Sequence, residues 1–236
     1  MLKSSLLAAA AVLVVASGAT AAGKQPAPTS ANAHVKATSV AHLPVNRGLD
    51  VLYDQTSNDS GIGIVSQNFE SSFDAYDAAA ADDFTVPDGV RWVLREIDVP
   101  GVYFNGGGPL NSVNVTIYYH LKGNKNLPGP LVKKEYDNVV PTSDNAGSLV
   151  ITLPHKVKLG AKKYWLSIQA NMDFSAGGEW AWENQSTSED SPAVWENPGD
   201  GFATGCTTWT QENVCIPDGQ GDHMFTLRGQ SFSVEQ

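Results

Sequence analysis

Two glutamates stand four residues apart in the segment Gly-Glu-Trp-Ala-Trp-Glu-Asn, positions 178–184. Paired carboxylates are the equipment of glycoside hydrolysis, one giving a proton and the other serving as nucleophile or base. On an extended strand the even spacing puts Glu179 and Glu183 on one face. The same geometry sets them roughly 13 Å apart, at about 3.3 Å per residue. Glycosidases need roughly 5–9.5 Å between their two carboxyl groups. The pair therefore does not form a catalytic centre on a strand. No Gly-x-Ser-x-Gly elbow, His-Glu-x-x-His, phosphate-cradling Gly-x-x-x-x-Gly-Lys or Cys-x-x-Cys occurs elsewhere. No catalytic residue is assigned.

The aromatic residues beside these acids suit a different chemistry. Sugars stack their apolar C–H faces on exposed indole rings, while carboxylates and amides hold the hydroxyls. Four of the six tryptophans (Trp180, Trp182, Trp195 and Trp209) fall between 178 and 209, and Trp-Glu-Asn occurs at 182–184 and again at 195–197. The candidate ligand-binding set is Trp195, Trp209, Trp180 and Trp182, with Asn197 as a polar partner. The corresponding ligand class is a polysaccharide or a cell-envelope glycan. Strand parity separates Trp180 and Trp182 from Glu179, Ala181 and Glu183. Either the tryptophans form an outward platform, or they fill a core and leave the glutamates in water. Trp195 and Trp209 flank loops rich in Gly, Pro and Asp and are expected to be the more exposed.

Hard cations need several oxygen ligands. The loop Asp218-Gly-Gln-Gly-Asp222 supplies two acids, so Asp218 and Asp222 are the candidate ligands of a structural calcium ion. Asp54, Asn58 and Asp59 form a second acidic loop, and Asp82-Asp83 open a strand with their carboxylates on opposite faces. None has the spacing of a complete Asp-x-Asp-x-Asp-Gly site. No other cofactor is expected.

These groups need a frame. Residues 1–21 read as a signal peptide: Lys3 gives the positive start, Leu6 to Val15 the apolar run, and Ala19-Thr20-Ala21 the small-x-small cleavage pattern. That run is shorter than the roughly 20 residues a spanning helix needs. No transmembrane segment is expected after cleavage, and the protein is expected to be secreted or periplasmic. Residues 22–48, rich in Ala, Pro, Ser and Thr, read as a flexible linker. Residues 49–236 read as a single domain. In an exported chain Cys206 and Cys215, the two cysteines, are expected to form a disulfide.

The net charge is −10. Such a balance disfavours nucleic acid and anionic membrane surfaces, which call for basic patches. The charge is uneven: residues 121–163 carry eight lysines against three acids, whereas residues 164–227 carry ten acids and no lysine or arginine.

Helical periodicity is nearly absent. Short runs rich in Val, Ile, Tyr, Trp and Thr alternate with Gly, Pro, Asn and Asp clusters. In one, Val113, Val115, Ile117 and Tyr119 share a face; in another, Tyr164, Leu166, Ile168 and Ala170 do. One face buried and one wet marks antiparallel sheets. Ten to twelve such strands predict an all-β antiparallel sandwich, jelly-roll-like in type.

The succession Leu-Tyr-Asp-Gln at 52–55, Ala-Asp-Asp-Phe-Thr-Val-Pro-Asp-Gly-Val-Arg-Trp at 81–92, Val-Asn-Val-Thr-Ile-Tyr-Tyr-His at 113–120, Tyr-Trp-Leu-Ser-Ile-Gln-Ala at 164–170 and Asp-His-Met-Phe-Thr-Leu-Arg-Gly-Gln at 222–230 resembles jelly-roll-like sandwich modules of exported bacterial proteins. Some members of that group carry a C-terminal sorting anchor or are attached to hydrolases. The resemblance covers framework residues of strands, so it implies the fold and no activity. This chain ends in Ser-Phe-Ser-Val-Glu-Gln without an apolar tail, unlike the anchored members. The expected function is that of an exported non-catalytic module binding a polysaccharide or envelope glycan. The alternatives are a sandwich enzyme acting on polysaccharide and a structural envelope or matrix protein.

Overall fold

The computed structural model describes residues 27–28, 33–36, 48–219 and 221–234. The segment read as a signal peptide lies outside the described residues, as does most of the segment read as a linker. The strands are β1 (His34–Lys36), β2 (Asp50–Asp54), β3 (Asp59–Val65), β4 (Gln67–Asn68), β5 (Ala79–Val86), β6 (Val90–Val99), β7 (Gly101–Phe104) and β8 (Ser112–Leu121). They continue as β9 (Asn124–Val139), β10 (Ser143–Asn145), β11 (Ser148–Leu159), β12 (Lys162–Asn171), β13 (Glu179–Gln185), β14 (Val194–Glu196), β15 (Thr210–Gln211) and β16 (Thr226–Ser233). The α-helices among the described residues are single turns, at Phe174–Gly177 and Glu212–Cys215. The protein is an all-β antiparallel sandwich.

Three sheets build it. One has the order β1-β3-β13-β7 and a second β10-β11-β6-β16-β2. The third runs β15-β14-β5-β12-β8-β9, with β4 paired to the far end of β12. Every pairing is antiparallel except β4 with β12. The alternation in β8 and β12 sets their register: Ile117 lies opposite Leu166 and Val115 opposite Ile168, and all four are fully buried. The same buried core holds Leu94 and Ile97 of β6, Leu227 of β16 and Trp182 of β13. Phe84 of β5 stacks on Trp92 of β6, ring centroids 6.4 Å apart.

Among the described residues, sixteen strands exceed the ten to twelve expected. The additions are β1, β4, β7 and β10, each four residues or fewer, too short to show a period of two. Strand β7 begins on Gly101 between a proline and a glycine-rich turn. The glycine is required there, since a Cβ would stand 2.7 Å from the Trp180 indole nitrogen and 2.9 Å from Ala181 O.

The linker departs from expectation at one point. Ala33 is buried, its carbonyl accepts the Val65 N–H at 2.9 Å, and β1 pairs with β3, His34 opposite Ile64. Without β1, strand β3 would end its sheet with unpaired backbone groups, which a passing segment satisfies.

The central strands of the third sheet are covered on both faces. Away from the main core, Ala81, Trp165 and Val194 form a second, smaller buried cluster, with Tyr118, Leu127 and Trp209 packed against it.

Candidate functional site

The structure decides the parity of β13. Trp180 and Trp182 point into the core and are 0 % exposed, as is Trp195 on β14. Each indole N–H donates to a buried carbonyl: Trp180 to Gly147 O at 2.8 Å, Trp182 to Met224 O at 2.7 Å and Trp195 to Val65 O at 2.8 Å. A buried indole keeps its one polar group satisfied in this way, so these three side chains are framework. They offer no stacking platform: of the two alternatives for Trp180 and Trp182 the core is the one found, and Trp195, expected to be the more exposed, is buried. Asn197 is also fully buried. Its side-chain amide donates to Ala75 O and Asp77 O, and its Oδ1 accepts the Phe202 N–H. It pins one loop to another and does not reach a ligand.

The opposite face of β13 is not solvated either. Glu179 and Glu183 are both 0 % exposed, and Asn105 Nδ2 donates to Glu179 Oε2 at 2.6 Å. Among the described residues, neither carboxylate oxygen of Glu183 has a hydrogen-bond partner. Burial, with a further contribution from Asp59, pushes its carboxyl up to about 7.

Asp222 is fully buried and accepts the Glu189 N–H. Burial pushes it up to about 7, offset in part by that hydrogen bond. The Asp218 side chain is 70 % exposed and lies 3.1 Å from His34 Nε2 of β1. Two acids in one loop are thus drawn to different surroundings. No group of three or more His, Cys, Asp or Glu that could hold a metal occurs among the described residues.

Asp82, Asp83 and Asp222 are buried close to one another. Asp82 accepts from Gln55 Nε2 and from the His223 N–H, each at 2.7 Å, and burial together with Asp222 and Asp83 pushes its carboxyl well up. Asp83 is ion-paired with Lys163. Burial nevertheless pushes Asp83 up to about 6 against the opposing pull of that lysine.

Cys206 and Cys215 are bonded, nine residues apart in sequence, and the loop they close carries Trp209. Of the four tryptophans singled out, Trp209 alone is not fully buried; it is half-buried. Its ring stands edge-on to Tyr118, centroids 6.0 Å apart. It borders a depression of about 300 Å³ that is also lined by Asn124, Asn126, Leu127, Thr210 and Gln211. That lining is amide, hydroxyl and apolar, without a carboxylate. The Trp209 backbone N–H donates to the nearby Glu196 carboxyl, which burial pushes up to about 7 against that hydrogen bond.

Family models, curated proteins and solved structures yield no match to this chain. The site therefore rests on its own geometry. Tyr118, Asn126 and Leu127 were not among the residues singled out from sequence. They sit at the β8–β9 hairpin, far from Trp209 in the chain, and only the sheet order brings them to it. No helix among the described residues is long and apolar enough to cross a membrane.

Proposed function

We propose that this protein is an exported, non-catalytic β-sandwich module that binds a polysaccharide or cell-envelope glycan through the depression at Trp209. The observation that carries the reading is a half-buried indole bordered by Asn124, Asn126, Thr210 and Gln211. An aromatic face with amides and a hydroxyl at its edge matches a sugar ring, which is apolar above and polar around its rim. The missing carboxylate in that lining favours binding over hydrolysis, which needs two acids at the bond. Export is supported by the signal-like start of the sequence and by the disulfide, a bond that persists in oxidising compartments.

Retention on insoluble polysaccharides tests the reading. Wild-type protein is expected to be retained on at least one of cellulose, xylan, mannan, chitin or peptidoglycan, and Trp209→Ala to be washed off while still folded. Equal retention of the two proteins, or retention of neither, overturns it.

A further inference from the structure

We infer that the ligand is an extended, uncharged glycan chain, and that Asn126 is the residue that reads its length; this rests on the glycan reading above. The Trp209 depression does not end at Asn126. The same asparagine lines a second depression, of about 440 Å³, bordered by Lys125, Lys162, Asp88, Asp190 and Ser191. Asn126 lines both depressions, so a ligand stacked on Trp209 and extended toward the second depression would pass this residue.

Asn126 is exposed, yet its amide is held. Ser191 Oγ donates to Asn126 Oδ1 at 3.0 Å, and Lys163 Nζ donates to Ser191 Oγ at 2.5 Å. Lys163 is in turn paired with Asp83, which is fully buried on β5. The Asn126 backbone N–H is tied to Asn124 Oδ1 at 3.0 Å. An exposed asparagine ordinarily loses side-chain freedom when it binds. Here the relay from the buried carboxylate has already fixed the amide, so its NH₂ group is presented at the junction in a set direction.

The charge around the second depression identifies the ligand class. Lys163 is neutralised by Asp83. Lys125 and Lys162 then stand against Asp88 and Asp190, two cations against two anions. A neutral chain of hydroxyl groups meets donors and acceptors there without net repulsion. A polyanion would meet the two aspartates as well as the lysines.

Titration calorimetry with cellulose, xylan, mannan and chitin oligosaccharides of two to six units tests the inference. For at least one series, affinity is expected to rise with length by roughly tenfold, the worth of one or two well-placed hydrogen bonds. Asn126→Ala, a change at an exposed position, should lose that gain with an unchanged thermal midpoint. Affinity independent of length in every series, or a length gain that survives Asn126→Ala, overturns the inference and leaves the Trp209 site standing. Binding of no oligosaccharide at any length overturns both readings. A length gain confined to polyuronate oligomers would overturn the neutral-chain assignment.

Discussion

Trp182 lies stacked on His223, with ring centroids 4.5 Å apart and planes 19° from parallel. The histidine's Nε2 is 2.9 Å from Glu212 Oε2, and Asn184 Nδ2 donates to the other oxygen of the same carboxylate. All four side chains are 2 % exposed or less. One carboxylate thus ties together β13, the helical turn at Glu212–Cys215 and the segment leading into β16. Removing one partner of a buried polar set leaves the others without compensation and costs about 3–5 kcal/mol. Glu212→Ala is expected to lower the denaturant midpoint by that amount without changing the slope, as read by guanidinium unfolding.

The buried carboxyl of Glu183 makes stability depend on pH. Its folded value is raised to about 7, above an unfolded value near 4.5, so over that interval the folded state holds a proton that the unfolded state has released. The contribution is complete below the unfolded value and is lost as pH rises through about 7. Asp222, raised to about 7, and Asp83, raised to about 6, act in the same direction. The thermal midpoint is expected to be higher at pH 5 than at pH 8. Glu183→Gln mimics the protonated form and should gain about 2–3 kcal/mol over wild type at pH 8 and nothing at pH 5. An equal gain at both values would show that the site is not protonated at the lower pH.

The four tryptophans separate into two classes when truncated. Trp195 is fully buried with its N–H satisfied, and Trp195→Ala should cost about 3–5 kcal/mol. Trp209 is half-buried, and Trp209→Ala should cost no more than about 1.5 kcal/mol. Chemical denaturation of the two variants measures the difference directly.

Closing the loop between Cys206 and Cys215 restricts the unfolded chain. By loop entropy the bond contributes about 2–3 kcal/mol. The Cys206→Ser/Cys215→Ser double variant should unfold at lower denaturant by that amount. Because Trp209 lies inside the loop, its fluorescence should shift on opening the loop, and the shift should be absent when Trp209→Ala is added.

Much of this protein is legible in one dimension. The period of two in β8 and β12 determined which residues face the core, because successive side chains on a strand point to opposite sides. The absence of helical periodicity determined the all-β class, and two cysteines nine positions apart determined their own partners. What the same period could not supply is which side of β13 is inside. It divides Trp180 and Trp182 from Glu179 and Glu183, but both sets are covered, and cover comes from strands distant in the chain. The linker strand β1 was illegible because three residues acquire a role only where β3 offers them an open edge. The binding site followed the same rule. Trp209 was visible as an aromatic residue near a loop. Its exposure, its edge-on contact with Tyr118 and the fixed amide of Asn126 were decided by long-range sheet pairing, which places the β8–β9 hairpin beside the disulfide loop.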